Sequence, residues 1–163
     1  MPTLIQCTKK LLVKVPDRLF DPAMDGERWH ANFLRVDRHQ CVLFTHDASL
    51  YSVFVPGMKK PEFEHLDEVF GQRLFKVMAW DGFPPTHIEV MLDALRVIRC
   101  TRSSNRSVLG SMNDLRFHVE VEVGYHGGLA NVDMAKLHHR LNRIPMGAIG
   151  YQFAVERFHE HIK

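Results

Sequence analysis

Arg106-Ser107-Val108-Leu109-Gly110-Ser111-Met112-Asn113-Asp114-Leu115-Arg116-Phe117-His118-Val119-Glu120-Val121-Glu122-Val123-Gly124-Tyr125 carries two periods at once. Val108, Met112, Leu115, Val119 and Val123 recur at three- and four-residue steps, which is the stripe of an amphipathic helix. Phe117, Val119, Val121, Val123 and Tyr125 alternate, which is the pattern of a half-buried strand. Helix is the better reading, because no breaker interrupts the run before Gly124. The segment also follows a strand-like run, Val97 to Thr101, and a polar loop, Arg102-Ser103-Ser104, with cap-type residues at the helix entrance.

Working outward, residues 3–8 read as a strand and Lys9 to Val13 as one helical turn. Pro16 and Pro22, with Asp17, Asp21, Asp25 and Gly26, mark an irregular connection. Trp29 to Val36, Gln40 to His46 and Leu50 to Val55 are strand-like and joined by short polar links, as in an antiparallel meander. A helix is expected from Pro61 to Trp80, with Phe63, Leu66, Val69, Phe70, Leu74 and Val77 on one stripe. A second covers Thr86 to Leu95, with Thr86 and Glu89 at capping-box spacing. Val132 to Leu141 is another helix, and Ala148 to Ile162 closes the chain with weak signals. The fold expected is a single α+β domain, a mainly antiparallel sheet packed by three or four helices.

The 163 residues are 45% hydrophobic and 25% charged, enough for one core without a disulfide or metal framework. Lys and Arg number 21 against 19 Asp and Glu, so nucleic-acid binding would need a local patch rather than bulk charge. Cys7, Cys41 and Cys100 lie in separate strand-like runs with no C-x-x-C pair, and read as buried free thiols. No signal peptide or membrane span is expected, and the cytoplasm is the default location.

Cys7-Thr8-Lys9-Lys10-Leu11-Leu12, Trp29-His30-Ala31-Asn32 and Asn105 to Asp114 occur in this order, followed by Gly127-Gly128-Leu129 and Leu141-Asn142-Arg143-Ile144-Pro145-Met146. In these segments the chain resembles a bacterial family of small proteins known only as a domain of unknown function. The resemblance covers nearly the whole chain. It implies a small intracellular domain, favours a continuous helix after Arg106, and brings no catalytic residues with it.

Candidate chemistry gathers at two places. The strand-loop-helix junction offers Arg102, Asn105, Arg106 and Ser107 to an anion, helped by the helix dipole. Arg106, Gly110, Asn113 and Phe117 share the face opposite the apolar stripe. Gly110 costs about 1 kcal/mol against Ala in a helix interior, which implies close approach of another helix or a ligand there. The competing reading is a capped core helix with a packing glycine. Elsewhere, a hairpin could bring His46 near His30, beside Asp47, as a general base. No Ser or Cys in a recognisable elbow accompanies them, so the sequence supports no triad, and sheet histidines bonded to backbone are the simpler reading. His138-His139 diverge on a helix, and His159-Glu160-His161 reads as a solvated tail, so neither a metal nor a cofactor is expected. Of the basic pairs, Lys59-Lys60 reads as a solvated helix entrance, while Arg96, Arg99, Arg102 and Arg106 could line a phosphate groove.

The function expected is therefore a binding module for nucleic acid or another phosphate-bearing ligand, around Arg102, Asn105, Arg106, Ser107 and Asn113. The rival is a small metal-independent enzyme of ribonuclease or phosphoryl-transfer type, using His30 or His46 with Arg106. A protein–protein adaptor or toxin–antitoxin component is the third class.

Overall fold

Helix wins between Arg106 and Tyr125. In the computed structural model, which describes residues 3–15 and 26–163, the run is one continuous α-helix, α5. Asn105 caps it by accepting from the N–H groups of Ser107 and Val108. Val108, Met112, Leu115, Val119 and Val123 are buried, whereas Phe117, Val121 and Tyr125 stay 63%, 51% and 84% exposed. The alternating pattern thus leaves three of its five members in water, and the 3.6-residue period buries all of its own.

The remaining elements in chain order are β1 (Thr3–Cys7), α1 (Lys9–Leu12), β2 (Glu27–Val36), β3 (His39–His46), β4 (Ser52–Val55), α2 (Lys60–Glu64), α3 (Leu66–Trp80), α4 (Pro85–Ala94) and β5 (Ile98–Arg102); α6 (Met134–Leu141) and α7 (Ala154–Ile162) follow α5. The expected irregular connection around Pro16 and Pro22 lies outside the described residues. The expected long helix from Pro61 is broken at His65, whose backbone (φ −122°, ψ 48°) separates α2 from α3. The capping box at Thr86 and Glu89 is not formed: α4 starts on Pro84-Pro85 with no side-chain cap.

The strands form one sheet in the order β4-β3-β2-β1-β5. The meander β2-β3-β4 is antiparallel as expected. Its β2–β3 turn holds Asp37 and Arg38 at positive φ, as a two-residue hairpin of right-handed twist requires. The expected mainly antiparallel sheet is corrected to a mixed one, because β1 runs parallel to both β2 and β5. Strands so far apart in sequence give no local signal of their pairing. Helices cover both faces. Leu11, Phe63, Phe70, Leu74, Ile88, Met91 and Phe158 pack on Ile5, Trp29, Ala31 and Phe44. The stripe of α5 and Leu137 and Leu141 of α6 pack on Leu34, Val36, Leu43 and Phe54. The result is a single α+β domain, and no helix among its described residues is long and apolar enough to cross a membrane. Cys7, Cys41 and Cys100 are buried and none is in a disulfide among the described residues.

Candidate functional site

Side chains alternate across a strand, so the α5 face of the sheet carries Leu34 of β2, then Asn32, then His30. At the level of His30 the register lines up Thr101, Gln6, His30, Thr45 and Ser52 across all five strands. All are buried. A polar row inside a core must satisfy itself. On one side Thr45 and Ser52 join hydroxyls at 2.9 Å. On the other, His30 is the hub.

His30 is 0% exposed. Its Nδ1 lies 2.7 Å from Asp47 Oδ1, and its Nε2 lies 2.6 Å from Ser103 Oγ. Gln6 Nε2 donates to the second Asp47 oxygen at 2.8 Å. A carboxylate only accepts, so His30 donates from Nδ1 to Asp47, and Nε2 is left to accept the Ser103 hydroxyl. This is the tautomer of an imidazole acting as a base toward a hydroxyl, oriented from behind by a carboxylate.

Backbone bonds just past the strand ends fix each member. Asp47 N–H donates to Arg28 O, and Ser103 N–H donates to Cys7 O. Thr8, in the same turn, places Oγ1 2.8 Å from Asn32 Oδ1. Segments 7–12 and 29–32 therefore meet at the carboxyl ends of the parallel strands β1 and β5, with Ser103 beside them, two residues before segment 105–114. From there the chain leaves β1 into α1, whose Leu11 joins the core on the Trp29 face. It leaves β5 into α5, on the opposite face. Neighbouring strands whose helices depart to opposite faces open a crevice at their carboxyl ends, where α/β sheets bind ligands.

Arg102, Asn105, Arg106 and Ser107 are exposed around this opening. Asn105 is committed to capping. Arg102 and Arg106 have no ion pair among the described residues. Asn113 is exposed on α5, roughly 10 Å along the axis from Arg106 at 1.5 Å per residue. Gly110 is not a close-packing position: among the described residues nothing beyond its own helix lies within 4 Å of where its Cβ would stand. Arg96 pairs with Asp93 at the far end of β5, so the expected arginine groove does not assemble as one surface.

The hairpin does not bring His46 to His30. His46 pairs across the ladder with Trp29 and so faces the other side of the sheet, its ring against Trp29 and Phe158. Burial lowers its pKa, and the Glu27 hydrogen bond partly opposes that shift. The C-terminal segment is not a solvated tail: α7 buries Phe158 in the core, and His161 Nε2 reaches Glu27 at 3.0 Å. His138 and His139 diverge as expected, His138 buried and His139 exposed.

Ser103 is the member that sequence reasoning missed. The junction was visible and Ser107 was a candidate there, but Ser103 stood only in the polar loop, with no elbow motif to mark it. Only the sheet order, with β5 beside β1 and β1 beside β2, sets Ser103 against His30. Comparison with known proteins identifies the family alone. The chain belongs to the family described as Domain of unknown function (DUF6933), whose model matches residues 4–157. No curated protein and no solved structure matches the chain.

Proposed function

We propose that this member of the family is a small serine-type hydrolase acting on an ester that carries a negative charge. The observation that supports the reading is the Asp47–His30–Ser103 relay, with bonds of 2.7 and 2.6 Å meeting at one imidazole. Ser103 Oγ attacks the ester carbon as its proton passes to His30 Nε2. His30 returns that proton to the departing alkoxide, and water then releases the acyl group by the same route. Asp47, held by Gln6, keeps the imidazole in its tautomer and stabilises the imidazolium. The N–H groups of Ser104 and Asn105 have no hydrogen-bond partner among the described residues, and in this reading they are the donors to the oxyanion. Arg102 and Arg106 hold the charged part of the substrate.

The test is a fluorophosphonate ester. Ser103 Oγ displaces fluoride at phosphorus, and mass spectrometry of the digest locates the adduct. Wild type is expected to be labelled at Ser103 and Ser103→Ala not at all. Asp47→Asn, which favours the wrong tautomer, should slow labelling by about 10³–10⁴-fold. Folded wild-type protein that leaves Ser103 unlabelled overturns the reading.

A second reading, a module that binds nucleic acid or a phosphorylated ligand without turnover, has its own observation. Lys10, Arg35 and Arg116 line a cleft of about 450 Å³ together with Val13, Phe33 and Leu34. Arg116 there is paired with Glu120. This reading expects salt-dependent association with single-stranded RNA. Lys10→Ala and Arg35→Ala in the cleft, and Arg106→Ala at the junction, should each weaken it without lowering the melting temperature, and affinities unchanged in all three variants would sink it.

A further inference from the structure

We infer that Glu27, His46 and His161 form a binding site for one divalent transition-metal ion of the zinc class, on the sheet face opposite His30. Their donor atoms, one from each side chain, lie within 4.8 Å of one another. His46 Nε2 is 2.9 Å from Glu27 Oε2, and His161 Nε2 is 3.0 Å from both Glu27 oxygens. The two imidazole rings stand 4.5 Å apart, centre to centre. Two imidazole nitrogens therefore converge on one carboxylate. Around a tetrahedral ion with Zn–N near 2.0–2.1 Å, donor atoms sit about 3.3 Å apart, so the Glu27 contacts are close to that spacing already. His161, 34% exposed on the last turn of α7, has the freedom to complete it.

The surroundings of His46 are those of a metal ligand. Its Nδ1 lies 2.8 Å from Ser49 Oγ, which the Tyr51 N–H anchors from the other side. In the metal-free protein Nε2–H donates to Glu27; with an ion in place of that proton, Nδ1–H would donate to Ser49 and hold the ring, as second contacts orient ligating histidines. Trp29 and Phe158 wall the ring on its inner side. Glu27 stays 25% exposed, so the outer side is open to a water as fourth ligand. Two nitrogens and one carboxylate suit Zn²⁺, Co²⁺ or Ni²⁺ and disfavour Ca²⁺ and Mg²⁺, which take oxygen. Glu27 and His46 belong to β2 and β3 and His161 to α7, so the ion would pin the C-terminal helix to the sheet.

Chelator-stripped protein is titrated with Co²⁺ and then Zn²⁺. Wild type should bind one equivalent, show the intense visible bands of four-coordinate Co²⁺, and melt at a higher temperature with Zn²⁺. Glu27→Gln and His161→Ala change partly exposed groups, so folding is preserved, and each should weaken binding by about tenfold or more. His159→Ala controls for stray chelation, since His159 stacks on Phe83 away from the cluster, and it should bind as wild type does. Affinities in Glu27→Gln and His161→Ala equal to wild type, or a Co²⁺ spectrum that stays six-coordinate, would overturn the site.

Discussion

Gly110 and Asn105 stand five residues apart on one helix and should respond to alanine in opposite directions. Gly110 is exposed, lies in a helix interior and meets none of the described residues beyond its own helix where a Cβ would go. Gly110→Ala therefore removes only the entropic penalty of glycine and should stabilise by about 0.5–1 kcal/mol. Asn105 accepts two first-turn N–H groups, and Asn105→Ala should cost about 1 kcal/mol. Urea denaturation of both variants checks the pair. A destabilised Gly110→Ala would mean that something does approach α5 there. At this scale the sequence was half legible. Asn105 as a cap could be read from residue type, whereas the simpler reading of His30 as bonded to backbone gives way to side-chain bonds with Asp47 and Ser103. The partners of His30 could not be read, because Asp47 reaches it from beyond a strand end and Ser103 from the far side of β1. The inference of close packing at Gly110 failed for a plain reason: a glycine's cost in a helix does not reveal whether anything compensates it.

Among the elements, β4 is the edge strand whose outward backbone groups need partners, and α6 supplies them from side chains. Asn142, at its C-terminal end, accepts from Ser52 N–H at 2.7 Å and donates to Ser52 O at 2.9 Å. His138 Nε2 accepts from Phe54 N–H at 2.9 Å. These side chains take the place of a sixth strand. Asn142 is fully buried, so Asn142→Ala leaves an N–H and a C=O unsatisfied, at about 1–3 kcal/mol each. The expected loss is about 2–4 kcal/mol by denaturant titration, with the slope unchanged and more aggregation from the opened edge. A loss below about 1 kcal/mol would mean that water replaces the amide without penalty. Helix existence was legible because 3.6-residue stripes are local. The parallel pairings of β1 and this latch on β4 were not, since each joins segments whose encounter no local pattern encodes.

Across the whole molecule, acid should act through the same latch. His138 accepts from Phe54 N–H and donates from Nδ1 to Met134 O, so it serves only while neutral. Burial is the main cause that lowers its pKa from 6.5 to about 4; the nearby Arg73 lowers it further, while the Met134 and Phe54 contacts and Asp81 oppose the shift. Because the folded pKa lies below the unfolded one, the unfolded chain takes up a proton between pH 6.5 and 4 while the native chain does not. The associated stability is complete above about pH 6.5 and is lost as pH falls toward 4. The shift corresponds to about 3 kcal/mol in all, of which about 2 kcal/mol is gone by pH 5. For a chain of this length that is a fall of roughly 4–8 °C in melting temperature between pH 7 and pH 5. His138→Gln retains an acceptor for Phe54 without the titration. It should be less stable than wild type at pH 7, with the gap narrowing by about 2 kcal/mol at pH 5. A gap that stays constant from pH 7 to pH 5 would place the acid sensitivity elsewhere and leave the β4 latch indifferent to protons.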